Sequence, residues 1–413
     1  MKIVFLKDFQ IPIRKFLAVA LLYGSTLGWF YLFHGYLFEQ ILPSKEEFLV
    51  WFVLGKFFFY GSIVLSGVIG SLICERVERK KFLAAWIAFG MLATASLLAF
   101  QGVEFTLFYS TFLGISFGLG FPACQAYLTE STAIEERGRI SGIVIFGTFF
   151  SLVLILMMSE PDVFNLGVMN LIVVCVILKA IAFIALVFDP FEREKGEIKS
   201  WMSVLTSKNF LPYLLPWLLF HISNGVFLFV ELPFDYASVA TMGRVFEFAG
   251  VLVAGLVSGF MADYFGRKWP ILIGLLMLGI SYAFLGLVTT EISWLLVLAS
   301  EGIAWGLITV SYMQVVLGDL SADGGAGSKE KFFALGGIVI PLFIFTIFSV
   351  VSEQWVEFSI PGNILSSVLS IMLFISVLPV LRASETLPEE KIRARRWRRY
   401  IKKLGELVEE SKE

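Results

Sequence analysis

The stretch Gly259-Phe-Met-Ala-Asp-Tyr-Phe-Gly-Arg-Lys268 lies between two long apolar segments of the chain. One segment covers about 242–262 and the other about 269–287. Each approaches the ~20 residues that an α-helix needs to cross a bilayer. The pattern therefore predicts two membrane-spanning helices joined by a short charged loop.

Five residues of this stretch have a physical reason for their positions. Gly259 would allow a neighbouring helix to approach closely, and Gly266 would permit a tight reversal of the chain. Asp263 would place a carboxylate at the membrane boundary, where a basic side chain or a helix N-terminus can meet it. Arg267 and Lys268 would hold the loop on the cytoplasmic side. We therefore expect a cytoplasmic loop that contacts a second helix.

A weaker copy of the same stretch occurs upstream. A shift of 188 positions aligns Gly55 with Gly243, Lys56 with Arg244, Gly67 with Gly255, Glu75 with Asp263, Arg79 with Arg267, and Lys80 with Lys268. Ser71 replaces the first loop glycine and Glu78 the second, so the contacts of the upstream loop are harder to predict. Two halves in parallel order are one signature of transporter folds.

The pattern from Gly259 to Lys268 resembles the loop motif of the major facilitator superfamily, which lies between helices 2 and 3 and again between helices 8 and 9. The resemblance implies an all-α integral membrane protein, with twelve transmembrane helices in two pseudo-symmetric six-helix bundles. It also implies transport by rocking of the bundles around a central site, with no cofactor. In such a fold, conformational latches at the cytoplasmic face would be formed by Glu75, Arg79, Lys80, Gly259, Asp263, Gly266, Arg267 and Lys268.

The composition places the chain in the membrane class. Hydrophobic residues make up 58% of it and the mean hydropathy is +0.84, which excludes an ordinary soluble domain. Twelve spans are expected at about 16–38, 48–74, 82–101, 104–128, 140–158, 166–188, 210–231, 240–262, 269–288, 292–317, 332–352 and 360–381. The predicted domains are an N-terminal six-helix bundle (1–188), a cytoplasmic linker (189–209), a C-terminal six-helix bundle (210–381) and a basic cytoplasmic tail (382–413).

Lys and Arg fall almost entirely in alternate connections between these spans. One set of connections contains Arg76, Arg79, Lys80, Lys81, Arg137, Arg139, Arg193, Lys195, Lys199, Lys208, Arg267, Lys268, Lys329 and Lys331, whereas the other contains only Lys45. Basic loops stay in the cytoplasm. We therefore expect a multi-pass protein of the plasma membrane with both termini in the cytoplasm.

The linker and the tail have simpler predicted roles. The resemblance implies a linker that ties the two bundles together, and a plain tether between them is the simpler and favoured expectation. Residues 391–403 of the tail are strongly basic, and they would form either a helix lying on anionic lipid headgroups or a solvated charged helix.

Charged residues inside spans are costly and usually face a cavity or a partner. Lys56 and Arg244 occupy equivalent places in helices 2 and 8, where they would either bind an anionic substrate in the central cavity or extend to the outer membrane surface. Glu301 and Glu247 break the symmetry between the halves and are candidates for proton coupling. For Glu247, a simple ion pair with Arg244 is the favoured interpretation.

Other polar residues are further candidates for the substrate site. His221 and Asn224 lie midway along helix 7, and His221 could also carry protons, although a packed histidine with a backbone partner is an equal alternative. Gln125 and Gln314 lie at the cytoplasmic ends of helices 4 and 10, as cavity or gate residues. Lys179 in helix 6 is expected to extend towards the cytoplasm.

Several patterns are absent from the sequence. Helix 5 lacks the Gly-Pro-x-x-Gly-Gly pattern of drug/proton antiporters and the glycine-asparagine signature of nitrate transporters, and the Pro-Glu-Ser-Pro-Arg signature of sugar porters is also missing. There is no ATP-binding loop sequence, and Cys74, Cys124 and Cys175 show no paired spacing for a disulfide or a metal site.

The sequence thus predicts a secondary active transporter, not an enzyme, that moves a small solute by alternating access. Proton coupling is expected, and an organic anion is one candidate substrate. The alternative is an exporter or facilitator of apolar or amphiphilic compounds, suggested by the 43 phenylalanines. A remote alternative is a membrane-embedded enzyme on lipid-linked substrates, for which His34 and Glu39 are the only hint. We expect a monomer in the lipid bilayer with no nucleic-acid partner and no metal.

Overall fold

The computed structural model describes residues 9–100, 102–159, 166–192, 198–229, 240–288, 290–322, 328–354 and 361–388. These ranges contain twelve helices that are long and apolar enough to cross a membrane, as predicted, and no strand. The helices are α1 Ile13–Ile41, α2 Lys45–Cys74, α3 Arg79–Leu98, α4 Val103–Ser131, α5 Arg137–Ser159, α6 Val168–Phe188, α7 Phe210–Phe227, α8 Gly243–Tyr264, α9 Lys268–Leu287, α10 Glu291–Leu320, α11 Ser328–Ser352 and α12 Gly362–Arg382.

The helices pack as two groups of six. In the first group α2 packs on α4, and α6 packs on α1 and α3; in the second, α8 packs on α10 and α12 packs on α7 and α9. The groups meet where α5 contacts α8 and where α2 contacts α11. The end of the molecule that carries the α2–α3, α4–α5, α6–α7, α8–α9 and α10–α11 connections is called the basic face here, because nearly all loop Lys and Arg lie there.

The contact between α5 and α8 depends on glycine. A Cβ atom at Gly259 would lie 2.2 Å from the carbonyl oxygen of Gly138, and one at Gly142 would lie 2.9 Å from that of Gly255. Any side chain at these positions would separate the two backbones. Gly259 thus lies where a second helix approaches closely, and that helix is α5 of the other group.

Four helices around the centre of the molecule are irregular. α1, α10 and α11 contain wide, π-type turns at Ala20–Gly24, Phe33–Leu37, Thr309–Val316 and Ala334–Val339. α4 is interrupted at Leu119 and Gly120. Such turns concentrate at functional sites, and these helices line the cavity described below.

Lys179 of α6 points into the first group of helices, so the expectation that it extends towards the membrane surface is wrong. Its Nζ donates to the carbonyl oxygen of Ser116 at 2.9 Å, and Trp86 Nε1 donates to the same oxygen at 2.8 Å. The ammonium group also lies 4.0 Å from the centroid of the Trp29 ring, a cation–π contact. Both donors bind the backbone beside the break in α4.

The linker is docked at both bundles, so the expectation of a plain tether is wrong for its described part. The Lys199 N–H donates to Ser328 Oγ at 2.7 Å, and Lys331 Nζ donates to the Lys199 carbonyl at 2.8 Å. Phe191 stacks on Tyr127 of α4 with 4.2 Å between ring centroids. A short helix, Trp201–Leu205, follows. The proposed lipid-binding segment 391–403 lies outside the described residues.

Candidate functional site

A cavity of about 740 Å³ lies between the two groups of helices. It reaches from Glu39 and Lys45, at the face opposite the basic face, to Met313 and Gly337 in the interior. Its walls come from α1, α2, α4, α7, α8, α10 and α11. A cavity of this volume accommodates a small organic molecule.

The deep part of the cavity is aromatic. Phe30 and Phe117 stack with centroids 4.1 Å apart, and Phe117 stacks on Phe121 at 4.6 Å. On the opposite wall Trp217 and Trp305 meet edge to face at 5.7 Å. All five side chains line the cavity. They offer ring faces and apolar area to a ligand.

Lys56 faces the cavity rather than extending to the membrane surface. Its side chain is 7% exposed and its Nζ donates to Glu39 Oε1 at 2.7 Å. The ammonium group also lies 4.6 Å from the centroid of the Phe52 ring. Glu39, weighed in the sequence only as a hint of an enzyme, is therefore the partner of the first candidate cation.

Arg244 also pairs with a carboxylate in the second half, but its side chain is 41% exposed and its partner lies on the same helix. Its Nη1 donates to Glu247 Oε2 at 2.8 Å, one turn further along α8. Among the described lining residues, three basic groups (Lys45, Lys56, Arg244) face three carboxyl groups (Glu39, Glu247, Glu301). The cavity thus carries charges of both signs, with no excess of positive charge.

Glu301 lines the cavity from α10 and forms no ion pair with a basic side chain among the described residues. It interacts with the indole N–H of Trp305 on its own helix and electrostatically with Glu247 and Arg244 of α8. The hydroxyl of Tyr282 on α9 also interacts electrostatically with the Glu301 carboxyl group. The arrangement of Glu301 therefore differs from those of Glu39 and Glu247, which each accept from a basic side chain.

His221 and Asn224 both line the cavity from α7. His221 Nδ1 lies 2.9 Å from the carbonyl oxygen of Trp217. Because a carbonyl can only accept, a neutral His221 carries its proton on Nδ1, which leaves Nε2 as an acceptor. Asn224 Oδ1 accepts from the hydroxyl of Tyr282 at 3.4 Å. The other histidine that lines the cavity is His34, weighed in the sequence only as a hint of an enzyme, and its Nδ1 lies 3.0 Å from the Tyr60 hydroxyl.

Gln125 and Gln314 do not line the cavity. Gln314 Nε2 donates to the hydroxyl of Tyr23 on α1 at 2.8 Å, and Gln125 Nε2 lies 3.5 Å from the carbonyl oxygen of Met313. Each bond joins one half of the molecule to the other beneath the cavity. The structure therefore places both amides in the barrier between the cavity and the basic face, and not among the candidate substrate contacts.

Asp263 joins the two halves at the basic face. Its carboxylate accepts from the backbone N–H groups of Gly138 and Arg139 at 3.0 and 2.9 Å, and from Arg139 Nε at 3.3 Å. Arg267 Nη1 donates to it at 2.7 Å. The carboxylate thus binds the first turn of α5, where the helix presents its free N–H groups.

Asp319 at the end of α10 is a second point of connection. It accepts from Arg137 of α5 at 2.5 Å and from Arg267 Nε at 3.1 Å. Arg267 also donates to the Ile134 carbonyl at 2.5 Å. Burial opposes the charge of Arg267, but the carboxylates of Asp319 and Asp263 outweigh it and raise the pKa of this guanidinium above its usual value.

The upstream copy of the loop forms a corresponding set of bonds. Arg79 donates to Glu130 of α4 at 2.6 and 3.0 Å and to Glu330 of α11 at 3.0 Å. Glu75 pairs with Lys331 of α11. Although this copy has lost both loop glycines, its Arg79 and Glu75 still bond to α11 of the other half.

The remaining loop residues have smaller roles. Gly266 has a φ of 113°, which only glycine adopts easily. Lys268 Nζ donates to the Leu381 carbonyl at 3.1 Å. Lys80 forms no ion pair or hydrogen bond with the described residues of the other half. Sequence reasoning missed Glu130 and Asp319, although both lie near the same place in the repeat, at the ends of α4 and α10.

Comparison with known proteins agrees with this architecture. A family model described as Major Facilitator Superfamily matches residues 16–328. The structure is similar to that of the proton:xylose symporter XylE bound to 6-bromo-6-deoxy-D-glucose, with a TM-score of 0.66 and 14% sequence identity over 92% of this chain and 98% of that chain. No curated protein matches the sequence. The family match covers most of the chain, and the chain therefore belongs to the major facilitator superfamily and is a multi-pass membrane transporter, not an enzyme.

Proposed function

We propose that this transporter moves a small solute by alternating access and couples the movement to protons. The observation that carries the proposal is the cavity between the two bundles, which is closed at one end by bonds between them. The seal includes Asp263 with the first turn of α5, Arg137 with Asp319, and Arg79 with Glu330. These bonds can form only while the basic face is closed, so breaking them would admit solvent from that side.

Glu301 is the proposed proton site. Its carboxyl group lies in the cavity beside Glu247 and Arg244, with the Tyr282 hydroxyl as a further neighbour. A proton on Glu301 would leave Arg244 and Glu247 as a neutral pair. Binding of a proton therefore changes the net charge of the cavity, which is the requirement for coupling proton and solute movement.

An organic anion is the first candidate substrate. Lys56 and Arg244 stand on opposite walls, and each holds a carboxylate that an anionic ligand would replace. A proton on Glu301 would remove one negative charge from the cavity and so favour an anionic ligand beside the two cations. Proton uptake and anion binding would then favour each other, as symport requires.

An apolar or amphiphilic solute is the second candidate, and the aromatic floor of the cavity favours it. Phe30, Phe117, Trp217 and Trp305 present ring faces to the cavity. Such a ligand would bind without displacing either ion pair.

The location of the protein belongs to the same proposal. The distribution of Lys and Arg supports a plasma-membrane protein with its basic face, linker and both termini in the cytoplasm. A monomer contains the whole cavity. The tail is proposed to bind anionic headgroups, and it should bind vesicles containing phosphatidylglycerol more strongly than vesicles of phosphatidylcholine alone.

A ligand screen by thermal shift tests the substrate class, because a ligand that binds only the folded state raises its melting temperature. Wild type and Lys56→Gln/Arg244→Gln would be compared at pH 5.5 and pH 7.5 against organic anions and neutral or cationic amphiphiles. Stabilisation of wild type alone by organic anions, strongest at the lower pH, supports the anion. Equal stabilisation of both proteins by amphiphiles supports the second candidate.

Transport itself tests the wider proposal. In proteoliposomes, a pH gradient should drive accumulation of the ligand found in the screen. Equal uptake with and without the gradient would contradict proton coupling, and no uptake under any condition would contradict transport of that ligand.

A further inference from the structure

The segment that follows α12, residues 383–388, turns back onto the basic face. Leu387 is 1% exposed. The Tyr213 hydroxyl donates to the Ser384 carbonyl at 2.9 Å, and the Ser384 N–H donates to Asn209 Oδ1 at 3.2 Å. These contacts fix the segment against the start of α7.

Within this segment, Glu385 fills a space beside the α8–α9 turn. Its Oε1 accepts from the backbone N–H groups of Arg267, Thr386 and Leu387 at 2.9, 3.0 and 3.2 Å. A Cβ atom at Gly266 would lie 2.6 Å from Glu385 Oε2. The missing side chain of Gly266 therefore permits both the tight reversal of the chain and the close approach of the Glu385 carboxylate.

Thr386 extends the contact to Asp319. Its Oγ1 donates to Asp319 Oδ2 at 2.9 Å, and the same oxygen accepts from Arg267 Nε at 3.1 Å. The other oxygen, Oδ1, accepts from Arg137 of α5. Thr386 thus bonds directly to the carboxylate that joins the second bundle to the first.

We propose that residues 384–387 form a strap that positions the latch of the second half and favours the closed basic face. Glu385 holds the backbone of Arg267, and Thr386 orients the Asp319 carboxylate towards Arg137. Both are positioning residues, because they act through Arg267 and Asp319. The proposal rests on the alternating-access function proposed above, and it adds a component that lies outside the two bundles.

A cysteine at Thr129 reports whether the basic face opens. Thr129 lies on α4 against Gly318 of α10, and its hydroxyl forms no hydrogen bond, so the substitution is mild. The test uses the full-length protein carrying Thr129→Cys, with the buried Cys74, Cys124 and Cys175 changed to alanine. A second reporter, Ser352→Cys, lines the cavity on the other side of the barrier.

Glu385→Ala and Thr386→Val should each label at position 129 roughly tenfold faster than the parent, because a hydrogen bond to a charged group shifts a two-state equilibrium by about this factor. Labelling at position 352 should slow. Thr386→Ser keeps the hydroxyl and should restore the parental rate. Ser384→Ala is the matched control, since Ser384 bonds only through its backbone.

Two results would overturn the strap. Unchanged labelling in Glu385→Ala and Thr386→Val would show that the segment does not bias the equilibrium. Faster labelling at both reporters would show general loosening instead of opening at one face. Asp263→Asn separates the two proposals: if it also leaves labelling unchanged, alternating access through this latch fails, and if it alone accelerates position 129, only the strap fails.

Discussion

At the scale of single residues, the cavity charges differ in how they are held. Lys56 and Arg244 are each bonded to a carboxylate, whereas Glu301 forms no ion pair with a basic side chain among the described residues. A group held in this way can gain or lose a proton without breaking an ion pair. This difference makes Glu301 the residue whose substitution should separate binding from coupling.

Glu301→Gln should abolish accumulation driven by a pH gradient but retain exchange of solute across the membrane, because glutamine imitates the protonated acid and cannot titrate. Uptake and counterflow in the same proteoliposomes measure the two activities. Asn224→Ala, on α7 of the same cavity, is the control and should affect binding more than coupling. Gradient-driven accumulation by Glu301→Gln at the wild-type level would rule out this residue as the proton site.

The glycines of the α5–α8 contact permit a second residue-scale prediction. Gly259→Ala should destabilise the closed basic face by about 1–3 kcal/mol, the usual cost of overpacking, because the added Cβ meets the Gly138 carbonyl oxygen. Gly147→Ala on α5 meets no atom within 4 Å and should be neutral or stabilising by about 0.5–1 kcal/mol. The melting temperatures of the two variants in detergent test this prediction. Equal values would contradict the close approach of α5 and α8 at Gly259.

At the scale of elements, buried charge has two different functions in the first bundle. Lys179 of α6 donates to the Ser116 carbonyl beside the break in α4. Trp86 donates to the same carbonyl, which would therefore keep a donor if Lys179 were replaced. Arg79 connects α3 to α4 and α11 through Glu130 and Glu330, which are both carboxylates. Hydropathy predicted the helices but not these partners, because Arg79 and Glu330 lie 251 residues apart in the chain.

The two functions predict losses of stability of different size on substitution. Lys179→Met should change the free energy of unfolding by no more than about 1 kcal/mol, since a buried charge is replaced by an apolar chain of similar length. Glu330→Ala should cost about 3 kcal/mol, because it leaves the fully buried Arg79 with one carboxylate. Denaturation in detergent micelles measures both. A larger loss for Lys179→Met than for Glu330→Ala would reverse this assignment.

At the scale of the whole molecule, the repeat in the sequence was the most informative feature. It predicted that the twelve helices found by hydropathy form two similar bundles, and that Lys56 and Arg244 occupy equivalent places in α2 and α8. It left open whether Gln125 and Gln314 line the cavity or a gate, because a position near a helix end does not show whether the side chain faces the cavity or the opposite bundle. The partners of Glu75 and Arg79 were harder to predict, because their loop has lost both glycines, and the structure places these partners on α11.

The bonds of Asp263 and the Arg79–Glu330 pair lie in different repeats, but both hold the same basic face closed. If the bundles rock as rigid bodies, Asp263→Asn and Glu330→Gln each weaken the same closed state, and their effects on the open-to-closed ratio should multiply in the double variant. Spin labels on the exposed loop residues Val77 and Phe265, in opposite bundles, would measure this ratio by pulsed electron paramagnetic resonance. All three variants should populate one common longer distance. A different distance in each single variant would show that the latches open separately, and local gating would then replace rocking as the movement of this transporter.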